Sequence, residues 1–307
     1  MKNLIQFAVF FVFILNCSSK SENSSEDSLL LLLLAAPKST STGTGTDGAA
    51  CTSDANCASG FLCVSAFNLN QSTTTNRCKA IPTSSGSITI NGTASNGTIV
   101  TNSPLVDFDL NITSTADHII TAFTTTSSVD LVLEITNAAG TVVRNSSDTN
   151  TSGTSRERLK ENLAIGTYRV RVKSYYVSGA FGGTVKVQVV NNPSAVNSGG
   201  SCNFLTNAGG SSCFDFSAGN TFSSALCGPG GTYNATSSCA TVNAAAAPTI
   251  SGRCSYSINS TTANGQGIVT RVYYSAGTGV VSPVNNTVAS SDCNGNTLDN
   301  LARVIFQ

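Results

Sequence analysis

The chain has 307 residues, enough for one large domain or two to three small ones. Its 16 Lys and Arg balance 16 Asp and Glu, and only 10% of residues are charged, so it lacks the basic footprint that nucleic-acid binding requires. Ser, Thr, Asn and Gly carry the polar share, which suits strands and turns better than helices, and His118 is the single histidine.

Lys2 supplies a positive start, and residues 7–15 (FAVFFVFIL) supply nine uninterrupted apolar residues. That is a secretory core, too short to span a bilayer. Ile14, Leu15 and Asn16 precede Cys17 and do not suit ordinary signal peptidase, which wants small residues at its recognition positions. A later cut after Ala36 would set Leu33 or Leu34 at such a position and leave Pro37 first. The run ending in Cys17 resembles the relaxed lipobox of spirochaetal lipoproteins, which tolerates Asn where Asn16 stands. That resemblance implies a diacylglyceryl group on Cys17, with residues 1–16 as a lipoprotein signal peptide and residues 17–50 as a lipidated tether and linker. The second apolar run, residues 29–36 (LLLLLLAA), is eight residues long where a span needs about 20. It lies in the membrane interface or packs as a short helix; both readings stand. Residues 38–50 (KSTSTGTGTDGAA) read as a flexible spacer.

Eleven cysteines are an odd number for an exported chain. With Cys17 carrying lipid, ten remain in two even clusters: Cys51, Cys57, Cys63 and Cys78, then Cys202, Cys213, Cys227, Cys239, Cys254 and Cys293. The 123 residues between Cys78 and Cys202 contain none. This partition predicts an oxidising compartment and separately stapled modules at 51–82 and 193–307. The first cluster has gaps of five, five and fourteen residues. It lacks the two-residue gap of zinc fingers and has no histidine nearby, so no metal is expected. It resembles small extracellular modules of the C-x5-C-x5-C type with an Asp-x-x-Cys-x-x-Gly core, here Asp54, Cys57 and Gly60. Three pairings are open, of which Cys51–Cys63 with Cys57–Cys78 is preferred.

Between the clusters the period is two. Val106, Phe108, Leu110 and Ile112 alternate with Asp107, Asp109 and Asn111. Leu131, Leu133 and Ile135 alternate with Val132, Glu134 and Thr136, and Tyr168, Val170 and Val172 with Arg169, Arg171 and Lys173; Val185, Val187 and Val189 follow. Seven or eight half-buried antiparallel strands make a sandwich over residues 83–192. The expected fold class is all-β: a central antiparallel, jelly-roll-like β-sandwich flanked by two small disulfide-stapled modules. SSVDLVLEITNAAGTVV, followed by the stretch that carries Leu163, Gly166, Thr167 and Tyr168, resembles the bacterial pre-peptidase C-terminal domain. The resemblance implies an accessory module with no active site of its own. Some relatives bind calcium through clustered carboxylates, for which Asp107, Asp109, Asp117 and Asp130 are candidates. Alternation puts Asp107 and Asp109 on a solvent face, so a solvated face is the expectation and a calcium site the alternative.

The last block is similar to a six-cysteine repeat module of exported spirochaetal proteins, and only residues 268–274 read plainly as a strand. Gly228, Pro229, Gly230 and Gly231 lack a following Lys-Ser/Thr and read as turns, not as a phosphate loop. His118 falls on a polar face by alternation, and no second histidine or G-x-S-x-G elbow accompanies it. No catalytic residue and no cofactor is assigned. The expected function is that of an exported, membrane-anchored lipoprotein acting as a non-catalytic binding or adhesion protein at the cell envelope, on the outer membrane and surface-displayed. Its partners would be the membrane, through the N-terminal lipid, and a protein or glycan, with no nucleic acid. The alternatives are an envelope structural or assembly component and, behind it, an accessory to a secreted hydrolase.

Overall fold

The structure, a computed structural model, describes residues 43–64, 76–100, 105–124, 131–137, 142–147, 156–174, 182–220, 222–259, 266–295 and 303–307. Cys17, the apolar run at 29–36 and Asp130 lie outside the described residues. Among the described residues, no helix is long and apolar enough to cross a membrane.

The four-cysteine segment contributes a two-stranded ribbon, β1 (Phe61–Val64) with β2 (Arg77–Ala80). Cys51 is bonded to Cys63 and Cys57 to Cys78, with Cα separations of 5.8 and 5.5 Å. Its buried interior is chiefly the sulfurs, with Ala49 and Phe61 packed against them. Two bridges supply what so small an apolar core cannot.

Among the described residues nine strands follow: β3 (Ser84–Ser87), β4 (Ser95–Val100), β5 (Leu105–Ile112), β6 (Ala116–Thr124), β7 (Leu131–Asn137), β8 (Val142–Ser147), β9 (Arg156–Leu163), β10 (Gly166–Ser174) and β11 (Gly182–Val190). They form a five-stranded sheet in the order β3-β5-β10-β7-β8 and a four-stranded sheet in the order β4-β11-β6-β9. All pairings are antiparallel except β3 with β5. The alternating residues read from the sequence meet between the sheets. Phe108, Leu110, Leu133, Val170 and Val172 from one sheet share a core with Ile99, Ile120, Ala122, Val185 and Val187 from the other. Gly97 on β4 allows the close approach: a Cβ there would stand 2.7 Å from the Phe108 ring and from Val106.

The polar partners of that alternation are not solvated, which corrects the sequence reading for Asp107. Asp107 is 0% exposed, Glu134 1%, Arg171 4% and Lys173 2%. Facing strands explain it, because β10 lies between β5 and β7 and sets Arg171 opposite both Asp107 and Glu134. Arg171 donates from Nε and Nη2 to the two Asp107 oxygens at 2.8 and 2.9 Å, and Lys173 bonds to Glu134. Arg169 adds contacts to Asp107 at 3.6 Å and to Asp109, which is half exposed, at 3.5 Å. Burial works against the Arg171 charge, but the hydrogen bonds and charge of Asp107 outweigh it and hold the guanidinium more firmly protonated. For Lys173 burial wins and lowers the pKa, despite Glu134.

Among the described residues the last block contains six strands where one was legible: β12 (Ser198–Phe204), β13 (Ser212–Ser217), β14 (Thr232–Asn234), β15 (Thr249–Asn259), β16 (Gln266–Ala276) and β17 (Val304–Phe306), with α1 (Cys239–Val242) and α2 (Asn286–Asn294) between them. The sheet order is β14-β12-β13-β16-β15-β17. On one face Cys202, Phe216, Cys254, Tyr256 and Tyr273 build a core closed by Cys202–Cys227 and Cys254–Cys293. Asp292 of α2 accepts from Arg271 Nη1 and Tyr273 Oη, both at 2.6 Å, and the Arg271 guanidinium lies 5.2 Å from the centre of the Phe214 ring. On the other face Cys213–Cys239 ties down α1 over Leu205, Val272 and Tyr274.

This sheet also packs on the outer side of the four-stranded sheet. Ile119 and Val190 meet Ile268, Gln188 Oε1 accepts from Ser217 Oγ at 2.7 Å and Asn220 Nδ2 at 3.0 Å, and Arg156 Nη1 donates to the Ser257 carbonyl at 2.9 Å. Strand β6 is therefore buried on both faces. His118 is a second correction: it is 0% exposed, in phase with Ile120 and Ala122 rather than on a polar face. Its Nδ1 lies 2.8 Å from the Ala116 carbonyl and its Nε2 3.1 Å from Asn191 Nδ2, which suits the neutral ring with Nδ1–H donating. Burial lowers its pKa below the usual 6.5, partly opposed by the Ala116 carbonyl and the Asp117 charge. A depressed histidine stabilises the fold above its unfolded pKa, and that contribution is lost as pH falls through the folded value. Stability should therefore drop as pH falls from about 6.5, the unfolded value. His118→Gln should flatten that part of the curve, and melting temperatures between about pH 7 and pH 5 check it.

Candidate functional site: a charged cleft on the C-terminal sheet

The chain leaves β11 under the control of Asn91, which holds φ at 62°. Asn91 Oδ1 accepts the N–H groups of Asn191 and Asn192, both at 3.0 Å. Asn192 then caps the short 3-10 turn Pro193–Ala195 by accepting from Ser194 N at 2.9 Å. Pro193 at the first position suits that turn, its fixed φ being already helical. The segment thus runs beside the C-terminal sheet on the face that carries Asp215, Val272, Arg253 and Tyr274. Register places them together, since Arg253 and Cys213 both oppose Val272, and Asp215 and Tyr274 stand two residues along their strands.

Between this segment, α1 and the sheet is a cleft of about 500 Å3. Its size falls in the range of small-molecule sites. Asp215 lies on its floor. The Cys213–Cys239 bridge brings the Cys239 N–H to Asp215 Oδ1 at 2.7 Å, and Ser198 Oγ lies 3.0 Å from the same oxygen. Burial raises the Asp215 pKa, opposed by the Cys239 N–H, the Ser198 hydroxyl and the Arg253 charge. Arg253 is held by its backbone, which exchanges hydrogen bonds with Gln307 at 2.8 and 2.9 Å, and by Nη1, which donates to Ser194 Oγ at 3.3 Å. At the far end Asn203 and Asn243 exchange side-chain hydrogen bonds at 2.7 and 3.2 Å, and Asn243 Nδ2 donates to Tyr274 Oη at 3.1 Å. Burial pushes the Tyr274 pKa up to about 12, so its hydroxyl stays protonated at neutral pH. The rim is apolar. Ile250, 40% exposed, sits at a register shift between β15 and β16, beside Val196 and Pro248.

The lining holds one carboxylate and one guanidinium, with hydroxyls, amides and small apolar side chains. This is chemistry for holding a polar ligand by its charges. Of these residues the sequence singles out Cys239 alone, and as a disulfide partner rather than as part of a cleft. The one local signal is Asp215 between two phenylalanines in SCFDF, out of place on a strand two residues after a cysteine.

The sequence candidates lie elsewhere. The ten cysteines from Cys51 onward form five disulfides and line no common site; the Cys51, Cys57 and Cys78 sulfurs lie within 4.8 Å of one another but are all bridged. Asp107 and Asp109 are brought together by Arg169. Asp117 stands apart, accepting from Asn162 Nδ2 at 2.9 Å and paired with Lys160 at 3.2 Å. Each of these three carboxylates is turned to a cation or amide of the protein rather than to a shared space, so the calcium alternative gains no converging oxygens from them.

No protein-family model and no curated protein matches this chain. Several solved structures align with about a third of it. The pre-peptidase C-terminal domain of a collagenase from Bacillus anthracis is 12% identical, over 36% of this chain and 98% of its own, with a TM-score of 0.29. It is the domain type that the middle block resembles in sequence. A surface-associated copper-binding protein of Methylomicrobium album BG8 is 11% identical over 36% of this chain and 98% of its own, with a TM-score of 0.27. A periplasmic inhibitor of g-type lysozyme from Aeromonas hydrophila is 12% identical over 34% and 96%, with a TM-score of 0.23. Likenesses at such TM-scores carry no functional inference.

Proposed function

We propose that this chain is an exported lipoprotein, anchored in the outer membrane through Cys17 and displayed at the cell surface, where it binds a protein or glycan partner without catalysis. The observation that carries the reading is the fate of the cysteines. All ten from Cys51 onward are paired among themselves, which needs an oxidising compartment and leaves Cys17, at the end of a secretory core, for an acyl chain. The cleft with separated charges supports a binding role.

Replacing the anchor tests it. Cys17→Ser expressed in the native host should be found uncleaved or in the soluble fraction, while the wild-type chain stays with the membranes. A Cys17→Ser chain that is processed normally and remains membrane-bound would overturn the lipid anchor. Protease added to intact cells should digest the ectodomain; full protection would favour an inward-facing structural or assembly role instead.

A further inference from the structure

We propose that the cleft on the C-terminal sheet is a receptor for a small zwitterion with a free ammonium and a free carboxylate, an amino acid or a di- or tripeptide, whose ammonium pairs with Asp215 and whose carboxylate pairs with Arg253. This goes beyond the protein or glycan partner proposed above by adding a small ligand, and it rests on the reading of the cleft as a binding site.

Asp215 and Arg253 line the same cleft and influence each other electrostatically, yet no ion pair within 4.0 Å joins them among the described residues. Opposite charges held near each other without closing are what a bridging ligand of matching polarity requires. Each has a committed half and an open half. Both donors to Asp215 use Oδ1, and among the described residues no hydrogen bond reaches Oδ2. Arg253 spends Nη1 on Ser194, and its Nε and Nη2 remain available for a carboxylate, which a guanidinium meets with two parallel bonds. Tyr274 Oη accepts from Asn243 and still has its own proton to give. Both charged groups sit on a rigid sheet, fixed by the Cys213–Cys239 bridge on one side and the Gln307 backbone pair on the other, so little ordering is needed on binding.

Other ligand classes fit less well. A divalent cation would find a single carboxylate next to a guanidinium, far from the six to eight oxygens that calcium takes. A phosphate would face Asp215 as a like charge. A sugar ring normally lies on an aromatic face, and the one aromatic ring in the lining, Tyr274, is 2% exposed. The apolar rim of Val196 and Ile250 instead offers a place for an aliphatic side chain.

Isothermal titration of the full chain in detergent micelles with L-alanine, L-alanyl-L-alanine and N-acetyl-L-alanyl-L-alanine amide tests this. Binding of either zwitterion, with the doubly blocked peptide at least about tenfold weaker, is the expected result. Asp215→Asn and Arg253→Gln should each weaken the zwitterion about tenfold or more while the thermal melt stays cooperative. Equal affinity for the blocked peptide, no heat from either zwitterion at millimolar concentration, or unchanged affinity in both variants would overturn the assignment. The blocked peptide needs no variant, so the test survives a substitution that fails to fold. Cell fractionation of Cys17→Ser judges the anchored-lipoprotein reading separately, so a failed anchor and a failed cleft assignment are told apart.

Discussion

Asp107→Ala should destabilise the protein by about 3 to 5 kcal/mol, the cost of leaving a buried charge without its partner. The side chain of Asp107 is fully buried and that of Arg171 nearly so, and both Arg171 donors used by Asp107 would point at an empty site. Arg169 would lose its contact with Asp107 too, but it reaches solvent and keeps Asp109. The matched control is Asp109→Ala two residues along the same strand. Its carboxylate is 44% exposed and, among the described residues, pairs with Arg169 alone, so the loss should stay below about 1 kcal/mol. Urea unfolding of both variants checks the contrast. Equal, small losses would mean that Arg171 reaches water in solution and that the ladder of charges is not sealed.

Reduction should divide the molecule. The C-terminal bridges close loops of 25, 26 and 39 residues, and loops of that size contribute about 3 kcal/mol or more each by restricting the unfolded chain. Together they rival the whole stability of a small domain, so the six-stranded sheet should unfold in reducing buffer, and the β1–β2 ribbon with it. The nine-stranded sandwich contains no cysteine and has its own core around Phe108, Leu110, Leu133 and Val170. It should keep its β-sheet circular dichroism and a cooperative melt. That melt should come at a lower temperature, because Ile119, Val190 and Gln188 lose the Ile268 and Ser217 surface they pack on. Collapse of all sheet signal on reduction would show that the sandwich has no independent stability.

The core was legible in the sequence, and the charges around it were not. Val106, Phe108, Leu110 and Ile112 alternate because one face of β5 meets the opposite sheet, and period two reports that directly. Asp107 obeys the same alternation and is still buried, since strand pairing sets it against Arg171 and no single strand carries information about its neighbour. The polar phase of a strand marks the face away from its own core, not the face in water. His118 went astray for another reason: both phases of β6 are apolar, Ile119 toward the C-terminal sheet and Ile120 toward the sandwich core, so alternation could not assign the histidine a face. The C-terminal strands hid in their composition. TISGRCSYSIN and SGGSCNF are rich in Ser and Gly, which lower strand propensity, and the bridges from Cys202 and Cys254 hold them in register. The cleft depends on Ser198, Asp215, Cys239 and Arg253 from four separate elements, so its charges could be read one by one but not as a site.

Membrane anchoring turns on Cys17, and the mass of the mature N-terminus tests it most directly. Purified from membranes of the native host and digested, the chain should yield an N-terminal peptide that begins at Cys17 and carries the added mass of a diacylglyceryl group, with residues 1–16 absent. A mature chain that begins after Ala36, or one that retains residues 1–16 with an unmodified Cys17 thiol, would contradict the anchor and the surface display built on it.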